Sequence, residues 1–225
     1  MRCRWDEIGK RYYEAGADRG VVYPVQSDGL YTKGAPWNGL IGVTESPSGA
    51  EAKPLWANNH KYLTLISAEE YGGTIKAYTY PDEFAECDGT AQPVKGVKLG
   101  QQKRKPFGFC YRTLLGNDTE NEKHGYVLHL VYGAQASPTD KEHNTLDDDP
   151  DAIEMSWEFS TTPVNVTGFD PVASMEIDST TVDAEKLAAL EDILYGKDPT
   201  TEDGTDGLDA RLPFPDEVIE LLKAA

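Results

Sequence analysis

The feature of this sequence that most constrains its fold is a repeated alternation of apolar and polar residues with a period of two. Residues 153–160 read Ile-Glu-Met-Ser-Trp-Glu-Phe-Ser, with the apolar side chains at every second position. Successive side chains of a β-strand point to opposite faces, so this pattern predicts a strand buried on one face. Residues 126–132 are apolar at nearly every position, which predicts a strand buried on both faces. His129 lies inside this strand, and we interpret it as a buried structural histidine rather than a general base.

Further strands are predicted where short apolar runs are separated by Gly, Pro, Asn and Asp. They cover residues 21–25, 40–44, 62–66, 74–80, 107–115 and 172–179. Gly72-Gly73 lies between two of these runs and is interpreted as a hairpin turn. Many short strands with little helix between them predict a mainly β protein, an antiparallel sandwich or barrel with one flanking helix.

The predicted helix spans residues 183–196. Asp183 can cap its first turn, an apolar stripe runs along one face, and Gly196 can end it. Two short helical pieces are expected after Pro81 and Pro215, where proline stands at the first helical position.

We divide the chain into a β-sandwich domain over residues 1–196 and an acidic, flexible connector with a C-terminal arm over 197–225. Within the domain, residues 33–59 contain several prolines and glycines and are expected to form an extended loop or arm. Trp37 and Trp56 lie in this segment. Exposed tryptophans are unfavourable in a monomer unless another subunit covers them, and the alternative is that both pack on their own sheet.

Charge is unevenly distributed along the chain. The formal net charge is −18, and residues 138–225 carry all of it, with 23 acidic and 5 basic side chains against 16 of each before them. Tight nucleic-acid binding needs clustered Lys and Arg, and the only basic cluster is the short run 103–105. The acidic half is interpreted as a solubilising surface, with the alternative that part of it lines a wall that must not bind a polyanion.

Few features of the sequence indicate a cellular compartment. The sequence has no apolar run long enough to span a membrane, and residues 1–6 lack the apolar segment of a secretory signal. The three cysteines are far apart and form no CxxC pair, which suits a reducing compartment. We therefore expect a protein that is made in a cytoplasm and does not contact a membrane.

Catalytic and cofactor motifs are absent from the sequence. There is no GxGxxG, GxxxxGK[ST], HExxH or GxSxG pattern, and the four histidines occur singly. Asp147, Asp149, Asp151 and Glu158 have the spacing of a calcium loop, but Ala152 stands where the sharp turn requires glycine. We therefore expect no enzyme activity, no cofactor and no metal, although a hydrolase built from two dispersed carboxylates stays open as an alternative.

Several segments together resemble the major tail proteins, or tail tube proteins, of long-tailed bacteriophages, especially those of Gram-positive hosts. No single segment is diagnostic, and the resemblance lies in their joint order and spacing over about residues 8–196. They are Ile8–Gly16, Asp18–Pro24, Trp37–Leu40, Tyr78–Gly89, Phe107–Arg112, His124–Gly133, Glu158–Pro163 and the 183–196 helix, with Pro213–Leu222 resembling the usual C-terminal end.

The resemblance implies a structural subunit that forms hexameric rings, which stack into a tube through which DNA is ejected. Its implied partners are copies of itself, a tape-measure protein, and the tail terminator and distal tail proteins, with DNA passing without specific binding. The implied location is the virion tail, assembled in the host bacterial cytoplasm. The family supplies no catalytic residues, and the arm makes Trp37, Leu40 and Trp56 candidate subunit-interface residues. Deletion of residues 36–56 is expected to leave a folded protein that does not polymerise.

A second function class fits the same composition. A carbohydrate-binding β-sandwich of a phage tail or cell surface would present aromatic side chains to solvent, and Trp37, Trp56 and the tyrosines could supply them.

Overall fold

The computed structural model describes residues 2–143, 145, 151–200 and 207–223. Within them the chain forms strands, one 3-10 helix (Asp82–Glu86) and two α-helices. The strands are β1 (Tyr13–Pro24), β2 (Ala35–Pro36), β3 (Leu40–Glu45), β4 (Ser48–Gly49), β5 (Ala52–Ala57), β6 (His60–Ile66), β7 (Glu69–Glu70), β8 (Gly72–Ala77), β9 (Ala91–Val94), β10 (Val97–Leu99), β11 (Phe107–Asn117), β12 (Asn121–Ala136), β13 (Met155–Thr161), β14 (Val164–Val166), β15 (Phe169–Val172) and β16 (Ser174–Asp178). The helices are α1 (Ala184–Tyr195) and α2 (Pro215–Leu222).

One antiparallel sheet carries the fold, with strand order β2-β1-β11-β12-β13-β8-β3. The long strand β12 pairs with β16 over Val127–Val131 and with β13 over Ala134–Ala136. Gly133 lies between the two stretches with a φ of 59°, and a Cβ there would meet the Thr162 carbonyl oxygen at 2.1 Å. Glycine therefore allows one strand to exchange partners without a break in the chain.

The centre of the sheet is buried on both faces, and neighbouring residues of one strand belong to different cores. Val22 packs in one apolar cluster with Trp157, while Val21 and Tyr23 pack in the other with Leu190 of α1. The prediction that residues 126–132 are buried on both faces is confirmed, because Leu128, Leu130 and Tyr132 join the helix-side cluster and Val131 the other one. The mainly β, antiparallel fold class is likewise confirmed.

Helix α1 begins and ends where the sequence predicts. The Asp183 carboxylate accepts hydrogen bonds from the backbone N–H groups of Glu185 and Lys186, and Gly196 ends the helix with a φ of 80°. The two short helical pieces expected after Pro81 and Pro215 are the 3-10 helix and α2, and α2 packs on the same side of the sheet as α1.

The C-terminal segment packs on the sandwich. Leu212 and Val218 are buried in the helix-side core, and the Tyr132 hydroxyl donates a hydrogen bond to the Pro213 carbonyl oxygen at 3.0 Å. The described residues 207–223 therefore dock on the helix side of the sandwich.

Gly72-Gly73 is not a hairpin turn, which corrects the prediction from sequence. Both residues lie in β8 and pair with Ser160 and Phe159 of β13. A Cβ on Gly73 would approach the Thr44 carbonyl oxygen to 2.4 Å and the Phe159 ring to 2.9 Å. Glycine is needed here because the Phe159 ring lies over the backbone.

We predict that Gly73→Ala destabilises the protein by about 1–3 kcal/mol, because the new methyl group overpacks a closed site. Gly42→Ala is the matched control, since Gly42 lies on the neighbouring strand and a Cβ there would meet nothing within 4 Å. Its effect should stay within about 0.5 kcal/mol. Urea unfolding measures both, and equal free energies of unfolding for the two variants would contradict the prediction.

Candidate functional site: an exposed hairpin arm

A long hairpin projects from the main sheet between β3 and β8, and we call residues 46–71 the arm. At its root, the backbone N–H of Ser46 donates to the Gly72 carbonyl oxygen at 2.8 Å, so the chain leaves and returns at one point. Along its length β4 pairs with β7 and β5 pairs with β6. The tip is Asn58-Asn59, with φ values of 48° and 62°.

Local sequence explains this hairpin. Two consecutive positive φ values define the tight turn whose twist matches that of paired strands, and asparagine tolerates this conformation. Leu55 and Leu63 face each other across the strand pair. Pro54 cannot donate a backbone hydrogen bond, which is tolerated in a strand that lies at an edge.

The arm has no core of its own. Residues 46–70 are all exposed, including Trp56 at 69% and Ile66 at 70% of their full accessible surface. Its other exposed large apolar side chains are Leu55, Tyr62, Leu63 and Leu65. An isolated two-stranded hairpin is marginally stable in water, and an apolar surface of this kind usually marks an interaction site.

The outer part of the arm also differs from the rest of the chain in charge. Residues 52–66 contain Lys53 and Lys61 and no Asp or Glu, in a chain whose net charge is −18. Neither lysine forms an ion pair with any residue that the structure describes. The arm is thus an apolar and cationic projection from an acidic protein.

Smaller apolar projections occur elsewhere on the surface. Trp5 and Ile8 are exposed in the N-terminal segment, Val94 on the β9–β10 hairpin, and Phe169 on the β14–β15 hairpin. The protein therefore presents exposed apolar side chains from several separate places.

Trp37 is not an exposed interface residue, which corrects the prediction for this position. It is 4% exposed, its ring centroid lies 4.6 Å from that of Phe84, and its Nε1–H donates to the Thr79 carbonyl oxygen at 2.8 Å. Leu40 is half-buried and packs against the same cluster. Of the three predicted interface residues, only Trp56 lies on the arm.

The boundaries of the arm also differ from the predicted 33–59. Residues 35–45 include β2 and β3 of the main sheet, and the second half of the arm extends to residue 71. Tyr62, Leu65 and Ile66 were therefore missed as surface residues, although residues 62–66 were correctly predicted as a strand. The sequence signal for this hairpin is the Asn58-Asn59 pair, which lies between β5 and β6.

The basic run of residues 103–105 and the two buried cysteines have structural roles. The basic run is an ion-paired loop, with Arg104 3.4 Å from Asp88 and Lys105 paired to Glu86. Cys87 and Cys110 are buried free thiols, and burial raises the pKa of each to about 12.

The acidic residues with the spacing of a calcium loop lie only partly within the described residues. Asp147 and Asp149 lie outside the described residues, while Glu158 belongs to β13. Among the described residues, one set of side chains could hold a metal ion, namely Glu45, His129 and Glu176.

No family model matches the chain, and a search of curated proteins found no match. In the part of the chain that the structure describes, no helix is both long enough and apolar enough to cross a membrane.

We predict that replacing residues 47–70 with Asn-Gly leaves the sandwich folded, because the root of the arm is already closed between Ser46 and Gly72. The thermal midpoint should shift by no more than about 4 °C, which corresponds to about 1 kcal/mol in a domain of this size. Deleting 36–56 instead should unfold the protein, since it removes β3 and Trp37. Calorimetry and circular dichroism test both, and loss of the strand signal in the first variant would contradict the prediction.

Proposed function

We propose that this chain is a self-assembling structural subunit, the tube-forming major tail protein of a long-tailed bacteriophage, and that its arm docks on a second copy of itself. The observation that carries the proposal is the arm: an ordered hairpin with no core, apolar on its surface and cationic in an acidic chain. Such a segment gains stability when a neighbour covers its apolar side chains.

Charge complementarity favours a second copy as the occupant. Lys53 and Lys61 on one subunit would meet a partner whose net charge is −18. Complementary charges of this kind steer association and fix register. An acidic partner of another kind would satisfy the lysines equally well, but a second copy is present wherever the chain is made.

Repeated contacts around and along a tube need several interaction surfaces on each subunit. The arm, the N-terminal segment with Trp5 and Ile8, and the hairpin with Phe169 project separately from the sandwich. The unpaired sides of the outer strands β3 and β16 offer further edges for pairing. Closing such edges between copies in a ring would prevent open-ended aggregation.

An acidic surface suits a conduit for DNA. Glu154, Glu158, Asp170 and Glu176 are exposed on or beside β13, β15 and β16. Carboxylates on a tube wall would repel phosphate and prevent DNA from binding during ejection. With this role go the proposed partners: a tape-measure protein in the lumen, and the terminator and distal tail proteins at the ends of a virion tail.

We predict that the purified wild-type protein forms rings or tubes of fixed diameter in electron micrographs. Lys53→Glu/Lys61→Glu should raise the protein concentration needed for assembly at least about tenfold, which corresponds to about 1.4 kcal/mol per subunit. Trp56→Ser should act in the same direction, because buried aromatic residues contribute strongly at interfaces.

The matched control is Lys103→Glu/Lys123→Glu, which changes net charge by the same amount away from the arm. It should assemble at nearly the wild-type concentration. A wild-type protein that stays monomeric at every concentration would refute the proposal. Glycan binding by that monomer, lost in Trp56→Ser, would instead support a carbohydrate-binding module.

A further inference from the structure

A cleft of about 420 Å³ opens beside the root of the arm, where β3 approaches β12 and β16. It is lined by side chains from β1, β3, β11, β12 and β16. Three of its side chains converge: Glu45 is the last residue of β3, His129 lies in β12, and Glu176 lies in β16. Each residue offers one potential ligand atom, a histidine nitrogen or a carboxylate oxygen, and these three atoms lie within 4.8 Å of one another.

Strand register creates part of this cluster. Tyr111, His129 and Glu176 are directly opposite one another on the neighbouring strands β11, β12 and β16. Side chains at such positions share one face of the sheet. The Tyr111 and His129 rings stack with centroids 4.5 Å apart and planes 4° from parallel, which fixes the orientation of the imidazole.

The two nitrogen atoms of His129 have different surroundings. Nε2 lies 2.9 Å from the Thr113 hydroxyl oxygen, within hydrogen-bond distance. Nδ1 is buried and has no hydrogen-bond partner among the residues that the structure describes, and His129 as a whole is only 7% exposed. A buried polar atom without a partner is unfavourable, and a ligand that contacts it would remove this cost.

The unpartnered Nδ1 faces two carboxylates. It lies 3.7 Å from Glu45 Oε1 and 3.9 Å from Glu176 Oε1, too far for hydrogen bonds. Ligand atoms about 2.0–2.2 Å from a zinc ion are themselves about 3.3–3.6 Å apart. A small inward movement of the two glutamates, both of which are exposed, would bring the three atoms to that spacing.

Groups behind the cluster would support metal ligands. The Tyr111 hydroxyl donates a hydrogen bond to Glu45 Oε1 at 2.6 Å. When Thr113 accepts from Nε2–H, the Nδ1 lone pair is left facing the cleft. These are the outer contacts that orient histidine and carboxylate ligands in metal sites.

We propose that Glu45, His129 and Glu176 form a binding site for a divalent transition-metal ion, with zinc as the best match. One imidazole nitrogen and two carboxylates suit zinc, whereas calcium and magnesium prefer oxygen ligands alone. Three protein ligands leave a fourth position for water at the mouth of the cleft. The ion would tie the end of β3, from which the arm departs, to β12 and β16. All three ligands belong to one chain, so the site forms whether or not the protein assembles.

The test is calorimetric titration of chelator-treated protein with zinc chloride. Cys3→Ser serves as the background, because Cys3 is an exposed thiol that could bind zinc. We expect one zinc ion per chain, and affinity at least about tenfold lower in Glu45→Gln, His129→Gln and Glu176→Gln, since even outer contacts of metal ligands contribute about 10–100-fold. Zinc should also raise the thermal midpoint of the background protein but not that of Glu176→Gln, in which an exposed side chain is changed and folding is preserved.

Two controls separate this site from surface binding. His124→Gln removes the histidine of a surface pair, in which Nδ1 lies 2.6 Å from Glu120 Oε2, and Glu14→Gln removes a carboxylate from the same cleft. Both should leave zinc affinity unchanged, and magnesium chloride should give no saturable heat. Absence of saturable zinc binding, or equal binding by Glu176→Gln and the background protein, would overturn the proposal.

Discussion

Strands β11 and β12 must be covered on both faces, and the rest of the molecule is arranged to cover them. Leu128, Leu130 and Cys110 point to the helix side, while Phe109 and Val131 point to the other. A strand pair with apolar side chains on both faces cannot stand as the outer layer of a protein, because one face would lie in water. Helices α1 and α2 therefore pack on one side, and β3, β8, β13 and the 3-10 helix complete the other.

This double requirement explains which parts of the structure the sequence predicts. The strands around 107–115, 126–132 and 153–160 are recognisable because burial imposes a period on them. The 183–196 helix is recognisable because its cap and its glycine stop act locally. The arm gives a weaker signal, since no face of it is buried in the chain and no burial selects an alternation. Its local signals are the Asn58-Asn59 turn and the apolar run of residues 62–66.

The interface residues of the candidate site were predicted only in part, because burial depends on distant parts of the chain. Whether a tryptophan is buried depends on what reaches it from distant parts of the chain. Trp37 is enclosed by Phe84 and Trp157, whereas Trp56 has no such neighbours. Nothing near either residue in the sequence distinguishes the two cases. The Glu45, His129 and Glu176 cluster is invisible to motif searches because its members come from three strands and meet only through sheet register.

The arm combines order with exposure, and that combination bears on how a subunit can stay dispersed and still associate. A disordered segment would lose conformational entropy on docking, whereas a hairpin already paired by β5 and β6 and closed by Asn58-Asn59 has lost much of it beforehand. Preorganisation therefore strengthens the docked state. The net charge of −18 opposes association, because it makes free subunits repel one another at distances beyond contact. Lys53 and Lys61 reverse the sign of this force only near the arm, so approach is opposed in most orientations and favoured where the arm meets an acidic surface. The exposed apolar side chains and the two lysines of the arm thus restrict which partner surfaces can cover it.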